Sequence, residues 1–188
     1  HFNLAGWQMQ ALLHISAVKV ILLALVTLLA VVIWRYSAVA LAGETDKPRF
    51  MRALAATIAA VVVTLLANHL VLFWLGWIAI SLSLQQLLLF YPDRPRAQLA
   101  AHKKALSARL GEALLAVAFT LLYLQFDSAN IQHIIQHLAG TTTASPLVHG
   151  AAVLLALVAL LKCAQLPLHG WLIQVVEAPT PVSALLHA

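Results

Sequence analysis

Lys162 is the residue in this sequence best suited to carry a proton where water is scarce. It follows the apolar run Ala151–Leu161, which puts it about 20 Å along a helix beginning near Leu147 at 1.5 Å per residue. No charged residue precedes it on that helix. An ammonium in apolar surroundings can load and release a proton, which a surface lysine does poorly. Five residues on, Pro167 lacks a backbone donor and pushes against the carbonyl of Cys163. The helix is therefore predicted to break between Lys162 and Pro167. Further along, Pro179 and Pro181 flank Thr180, which is predicted to cap a new helix with Pro181 at its first position. That helix would hold His187 about 10 Å from its start, where an imidazole can relay protons near neutral pH.

Two further residues belong with this chemistry. Arg109 and Glu112 stand three apart, so they share a helix face and can pair along it. Glu177 is another acid near the break. His133 and His137 are four apart, which allows metal sharing, but no acidic residue completes a hydrolase pattern. No metal and no cofactor are assigned. With Ile131, Ile134, Ile135 and Leu138 at helical spacing, this segment reads as an amphipathic helix lying on a membrane surface. Lys19 reads as a snorkelling lysine near a helix end, and Cys163, the sole cysteine, as a small buried residue.

The elements that must position these groups follow from composition. Apolar residues make up 63% of the chain, charged residues only 9%, and the mean hydropathy is +0.94. Soluble domains carry about 25% charged residues, so a water-facing surface is excluded. The apolar residues come in runs close to the roughly 20 that a bilayer-crossing helix needs. The 11 basic against 6 acidic residues do not indicate nucleic acid, because the cations sit between apolar runs without interleaved aromatics. The fold class is all-α, a polytopic transmembrane helix bundle.

Spans are predicted over about Ile15–Trp34, Ala53–Ala67, Leu70–Phe90 and Ala105–Leu124, with a fifth starting near Leu147 and a very short turn at Asn68-His69. Residues 1–188 form a single transmembrane domain of five to six spans. The chain opens on His1 and stops at Ala188 inside an apolar pattern, and is expected to be part of a longer protein. Arg35, Lys47, Arg49 and Arg52 follow the first span, and Arg94, Arg96, Lys103 and Lys104 the third, whereas no Lys or Arg follows the second or fourth. Positive charge on alternate loops predicts that 36–52 and 91–104 face the cytoplasm of a bacterial inner membrane.

The stretch from Lys162-Cys-Ala-Gln-Leu-Pro-Leu-His-Gly-Trp-Leu to Glu177-Ala-Pro-Thr-Pro-Val-Ser-Ala-Leu-Leu-His187 closely resembles the broken-helix signature of the antiporter-like subunits. These are membrane-arm subunits of complex I, subunit L among them, and large subunits of Mrp-type sodium/proton antiporters. Arg109-Leu-Gly-Glu112, Asp46-Lys-Pro-Arg-Phe50 and Leu75-Gly-Trp77 match in order and spacing. The resemblance implies a fourteen-helix-type fold of inverted repeats, of which this chain is the first part. It also implies that Lys162 is the channel lysine and His187 the link to a central hydrophilic axis.

In the complex I subunits a glutamate that partners the channel lysine follows the Gly-Trp pair, and here that position is Ile78. Glu112 or Glu177 is the expected stand-in, with Ser81, Ser83, Gln85 and Gln86 adding polarity. The run from Ser83 to Pro95 and His102-Lys-Lys looks more like DabB, the membrane subunit of Dab-type inorganic-carbon transporters. That likeness implies a transporter subunit with no catalytic site of its own. Its implied partner is a soluble, zinc-containing, carbonic-anhydrase-like subunit of the DabA type. The alternatives are a complex I pump subunit or a Mrp antiporter subunit.

Overall fold

The computed structural model describes residues 12–90, 95–140, 145–163 and 180–187. It contains seven helices among these residues: α1 Ala17–Ala40, α2 Lys47–Leu66, α3 Leu70–Leu88, α4 Pro95–Phe126, α5 Ile131–Gly140, α6 Pro146–Lys162 and α7 Thr180–His187. No strand occurs among them. Four helices are long and apolar enough to cross a membrane, over Ala17–Ala40, Lys47–Leu66, Leu70–Leu88 and Ala101–Phe126, and α6 is a shorter apolar helix. The architecture is a membrane helix bundle. Large apolar side chains such as Ile15, Ile21, Leu28 and Val39 stand exposed on its outside, which is the surface lipid would cover.

Several predicted boundaries move, for local reasons. α1 continues past Trp34 to Ala40, because nothing in Tyr36–Ala40 breaks a helix. The chain turns only at Gly43, whose φ of +94° favours glycine. α2 starts at Lys47, with Pro48 in its first turn. The larger correction concerns 91–104, read as a polar loop. From Pro95 the chain is already helical and runs unbroken into the fourth span, since residues 97–104 are helix formers without a breaker. α4 ends where Asp127 adopts a positive φ of 47°, a conformation that a short polar side chain tolerates. α7 is described over Thr180–His187, with Pro181 in its first described turn. α6 ends at Lys162, with Cys163 as its cap residue. Cys163, read as buried, is exposed. The segment expected to hold the break, with Pro167, Glu177 and Pro179, lies outside the described residues.

The helices pack α4 on α6, α2 on α3, α1 on α2 and α3 on α4. Glycine sets one of these approaches. A Cβ on Gly76 of α3 would run into the hydroxyl of Thr64 on α2, so the two backbones meet where a side chain is absent. Two apolar clusters result. One gathers Phe50, Leu54, Leu84, Leu87, Leu88 and Phe90 with Ala101 and Val182, and its Phe50 and Phe90 rings meet edge to face at 5.1 Å. The other joins Leu70, Leu122, Ile134 and Ala151. α5 therefore buries Ile134 in the bundle while Ile135 remains exposed, as its amphipathic pattern requires. Following α3 or α4 along the chain, the two clusters lie on either side of a polar middle section.

The end of the bundle near Asn68 is tied by backbone bonds. Ile131 N–H donates to the Asn68 carbonyl at 2.8 Å, Asn68 N–H to the Leu12 carbonyl at 2.7 Å, and Leu70 N–H to the Ala129 carbonyl at 2.9 Å. The buried Asn68 side chain accepts from Gln132 N–H at 3.0 Å. Lys19 is placed by more than snorkelling: its ammonium donates to the Ala67 carbonyl at 3.1 Å, closing the C-terminal end of α2. Lys47 does the same for α1 through the Ala38 carbonyl at 2.6 Å.

Candidate functional site

The middle section is built from one stripe on each of four helices. On α3, Trp74, Trp77 and Ser81 recur at i, i+3 and i+7, the spacing of a single face. On α4, Lys104, Ala108, Gly111 and Glu112 do likewise at i, i+4, i+7 and i+8. α6 contributes Val158, Leu161 and Lys162, and α2 contributes Thr57 and Val61. These stripes meet around a cavity of about 260 Å³ whose wall includes Trp77, Ser81, Lys104, Ser107, Gly111 and Lys162.

α3 holds the charged residues of both neighbours. The Trp74 indole N–H donates to the Glu112 carbonyl at 3.0 Å. The Lys162 ammonium lies over the Trp77 ring, 4.5 Å from its centroid, a cation–π contact. The Lys104 ammonium donates to the Ser81 carbonyl at 2.9 Å. Thus one aromatic and hydroxyl stripe receives a carboxylate-bearing turn and two lysines.

Arg109 and Glu112 pair as their spacing predicts, with Nη1 to Oε2 at 2.7 Å. The pair is lopsided. The arginine side chain is 49% exposed and the glutamate only 6%, so a carboxylate inside the bundle is reached by a guanidinium at its edge. The second oxygen, Glu112 Oε1, is buried and has no hydrogen-bond partner among the described residues. Glu112 lies within electrostatic range of both Lys104 and Lys162, and the two lysines within range of each other. The structure therefore brings together Lys162, Glu112 and Arg109, as the sequence suggested.

One refinement and one correction accompany this. Lys162 is exposed as a whole residue, while its ammonium turns inward onto Trp77 on the cavity wall. The enclosed lysine is Lys104, only 6% exposed, which sequence reasoning had assigned to a cytoplasmic loop. The signal that would have found it is the absence of any breaker after Pro95, together with its i+8 relation to Glu112. Among the polar residues suggested as substitutes for a missing acid, Ser81 is on the cavity wall. Ser83 instead donates to the Ala79 carbonyl of its own helix at 2.7 Å, and neither Ser83, Gln85 nor Gln86 lines the cavity. Ile78 is also off that wall.

His187 ends α7. Pro181 is buried in the first turn of that helix, and Leu185 reaches the cavity wall. His133 and His137 lie far along the chain from the site, their Nε2 atoms 3.1 Å apart.

Comparison with known proteins places this geometry in a family. The chain is 51% identical over 175 residues to the probable inorganic carbon transporter subunit DabB of Hydrogenovibrio crunogenus, covering 93% of this chain and 34% of that protein. It is 43% identical over 185 residues to the probable inorganic carbon transporter subunit DabB2 of Halothiobacillus neapolitanus, covering 98% and 34%. With the NADH-quinone oxidoreductase subunit L of Escherichia coli it shares 33% identity over 177 residues, 94% of this chain and 29% of that protein. The chain thus spans about a third of the length of the curated relatives it matches. Residues 67–188, which supply the α3, α4 and α6 walls of the cavity, match the family model described as NADH:quinone oxidoreductase/Mrp antiporter, TM, and the chain belongs to that family.

Proposed function

We propose that this chain is the first part of the proton-translocating membrane subunit of an inorganic-carbon uptake complex, taking up carbon dioxide or bicarbonate. The observation that carries the proton-transfer reading is the charged cavity. Ionisable groups inside a membrane bundle cost about 2.5–3.5 kcal/mol each on insertion scales and are retained where they serve a pathway. Here Lys104 and Lys162 line a space large enough for several waters, with Glu112 within electrostatic range of both. In this reading Lys162 exchanges protons with those waters and Glu112 is the acid that stands in at Ile78. Arg109 holds one of its oxygens, and His187 and Glu177 continue the path beyond the break at Pro167, Pro179 and Pro181.

The carbon branch rests on the two DabB relatives, each more similar than the subunit L relative, and on Ile78 in place of the acid. The partner in this reading is a soluble, zinc-containing, carbonic-anhydrase-like subunit. The protein sits in a bacterial inner membrane, with loop 36–52 and the segment containing Arg94, Arg96 and Lys103 on the cytoplasmic side. The similarity to subunit L favours a second reading, a proton-pump subunit of an NADH-quinone oxidoreductase.

Affinity purification of the full-length protein from native membranes, with mass spectrometry and metal analysis of what accompanies it, separates the two. The expected result is one large soluble partner with stoichiometric zinc. Recovery of quinone-reductase or Mrp subunits in its place would overturn the carbon reading.

A further inference from the structure

We propose that the cavity between α2, α3, α4 and α6 is a binding site for a small monovalent inorganic anion of the size and charge of bicarbonate. The chemistry of its wall points there. Among the described residues, every charged group on the wall is a cation, Lys104 or Lys162, and no carboxylate lines it. Ser81 adds a hydroxyl that is buried and has no hydrogen-bond partner, on a residue only 2% exposed.

A buried cation needs a counter-charge or strong acceptors. The bond described for Lys104 is to one backbone carbonyl, and Lys162 rests on the face of Trp77. Neither contact is a carboxylate. The nearest acid, Glu112, gives one oxygen to Arg109 at 2.7 Å. Three cations therefore lie near one carboxylate, whose second oxygen takes no described hydrogen bond but is off the cavity wall, so the wall beside the two lysines presents more donors than acceptors. An anion there would accept from both ammonium groups and from the Ser81 hydroxyl, which answers all three deficits at once.

The volume admits an ion of a few heavy atoms with water beside it. The biological meaning of the site, a station for the carbon substrate beside the proton path, rests on the reading proposed above.

The test is calorimetric titration of the full-length subunit in its complex, held in lipid nanodiscs with gluconate as the only other anion. Bicarbonate and chloride are titrated separately, and proton flux is measured on the same preparations. The expected result is saturable binding of one anion per subunit. Lys104→Met should weaken it at least about tenfold through loss of a charge-assisted bond. Gly111→Leu should weaken it similarly by filling the cavity, because Gly111 is on the wall and a Cβ there meets nothing within 4 Å. Bicarbonate selectivity would identify a substrate station, and equal binding of chloride a counter-anion site; both support the proposal. Absence of saturable binding, or unchanged affinity in both variants, would overturn it. Lys162-dependent flux without anion binding would leave the proton reading standing and remove this one. Binding without Lys162-dependent flux would do the reverse.

Discussion

The end of the bundle near Asn68 and the middle around Lys104 are both polar regions inside an apolar protein, and they are built on opposite rules. At the Asn68 end the buried groups find partners. The Asn68 carbonyl accepts from Ile131, its side chain accepts from Gln132, and Lys19 closes the end of α2. In the middle, Ser81 Oγ and Glu112 Oε1 are buried without a partner, and two lysines share one cavity. A satisfied polar network fixes geometry. An unsatisfied one leaves sites at which a proton, water or ion makes a difference. The contrast separates polar residues that hold the bundle together from those that work inside it.

Breaking the middle should cost transport and spare the fold. Lys162→Ala is expected to reduce proton-coupled transport to background in vesicles containing the full-length protein. Its thermal stability should change little, because the residue is exposed overall and its truncation gives up one cation–π contact with Trp77. Transport at the level of the unaltered protein would sink the assignment of Lys162.

Breaking the end should do the opposite. Asn68→Ala removes the buried acceptor of the part-buried Gln132 N–H, which costs about 1 kcal/mol. A drop in melting temperature is expected, with transport per folded molecule retained. If Asn68→Ala instead stopped transport in well-folded protein, the division between the two regions would be wrong.

A smaller effect sharpens the boundary between them. Gly76→Ala places a Cβ against Thr64, and overpacking of this kind costs about 1–3 kcal/mol. Thr64→Ala in the same chain should recover most of that loss, a coupling that a double-mutant cycle measures directly. Failure of the second change to rescue the first would show that the α2–α3 approach is set elsewhere.

Much of this was legible in the sequence. Hydropathy gave the helices, the i, i+3 spacing gave the Arg109–Glu112 pair, and the run before Lys162 marked the lysine. Lys104 was not legible, because a lysine beside His102 and Lys103 looks like solvated charge. Only its position on a helix that continues into the span, opposite Ser81, makes it an interior residue. Its burial depends on α3 packing against α4, a contact between residues 23 apart in sequence that no local pattern encodes. For Lys162, depth along a helix is readable from the sequence, whereas the rotation that lays its ammonium on Trp77 depends on what the helix packs against.

The unbroken course of α4 has a mechanical consequence. Its 32 residues make a rod of about 48 Å, against about 30 Å of hydrocarbon, so the helix extends beyond the apolar layer. A helix is stiff along its axis, and a tilt of about 5° around its centre moves each end by about 2 Å over that length. Lys104 sits two to three turns from the end at Pro95. A partner gripping that end would hold a lever with Lys104 partway along the same arm, and would shift its distance to Ser81 without touching the cavity.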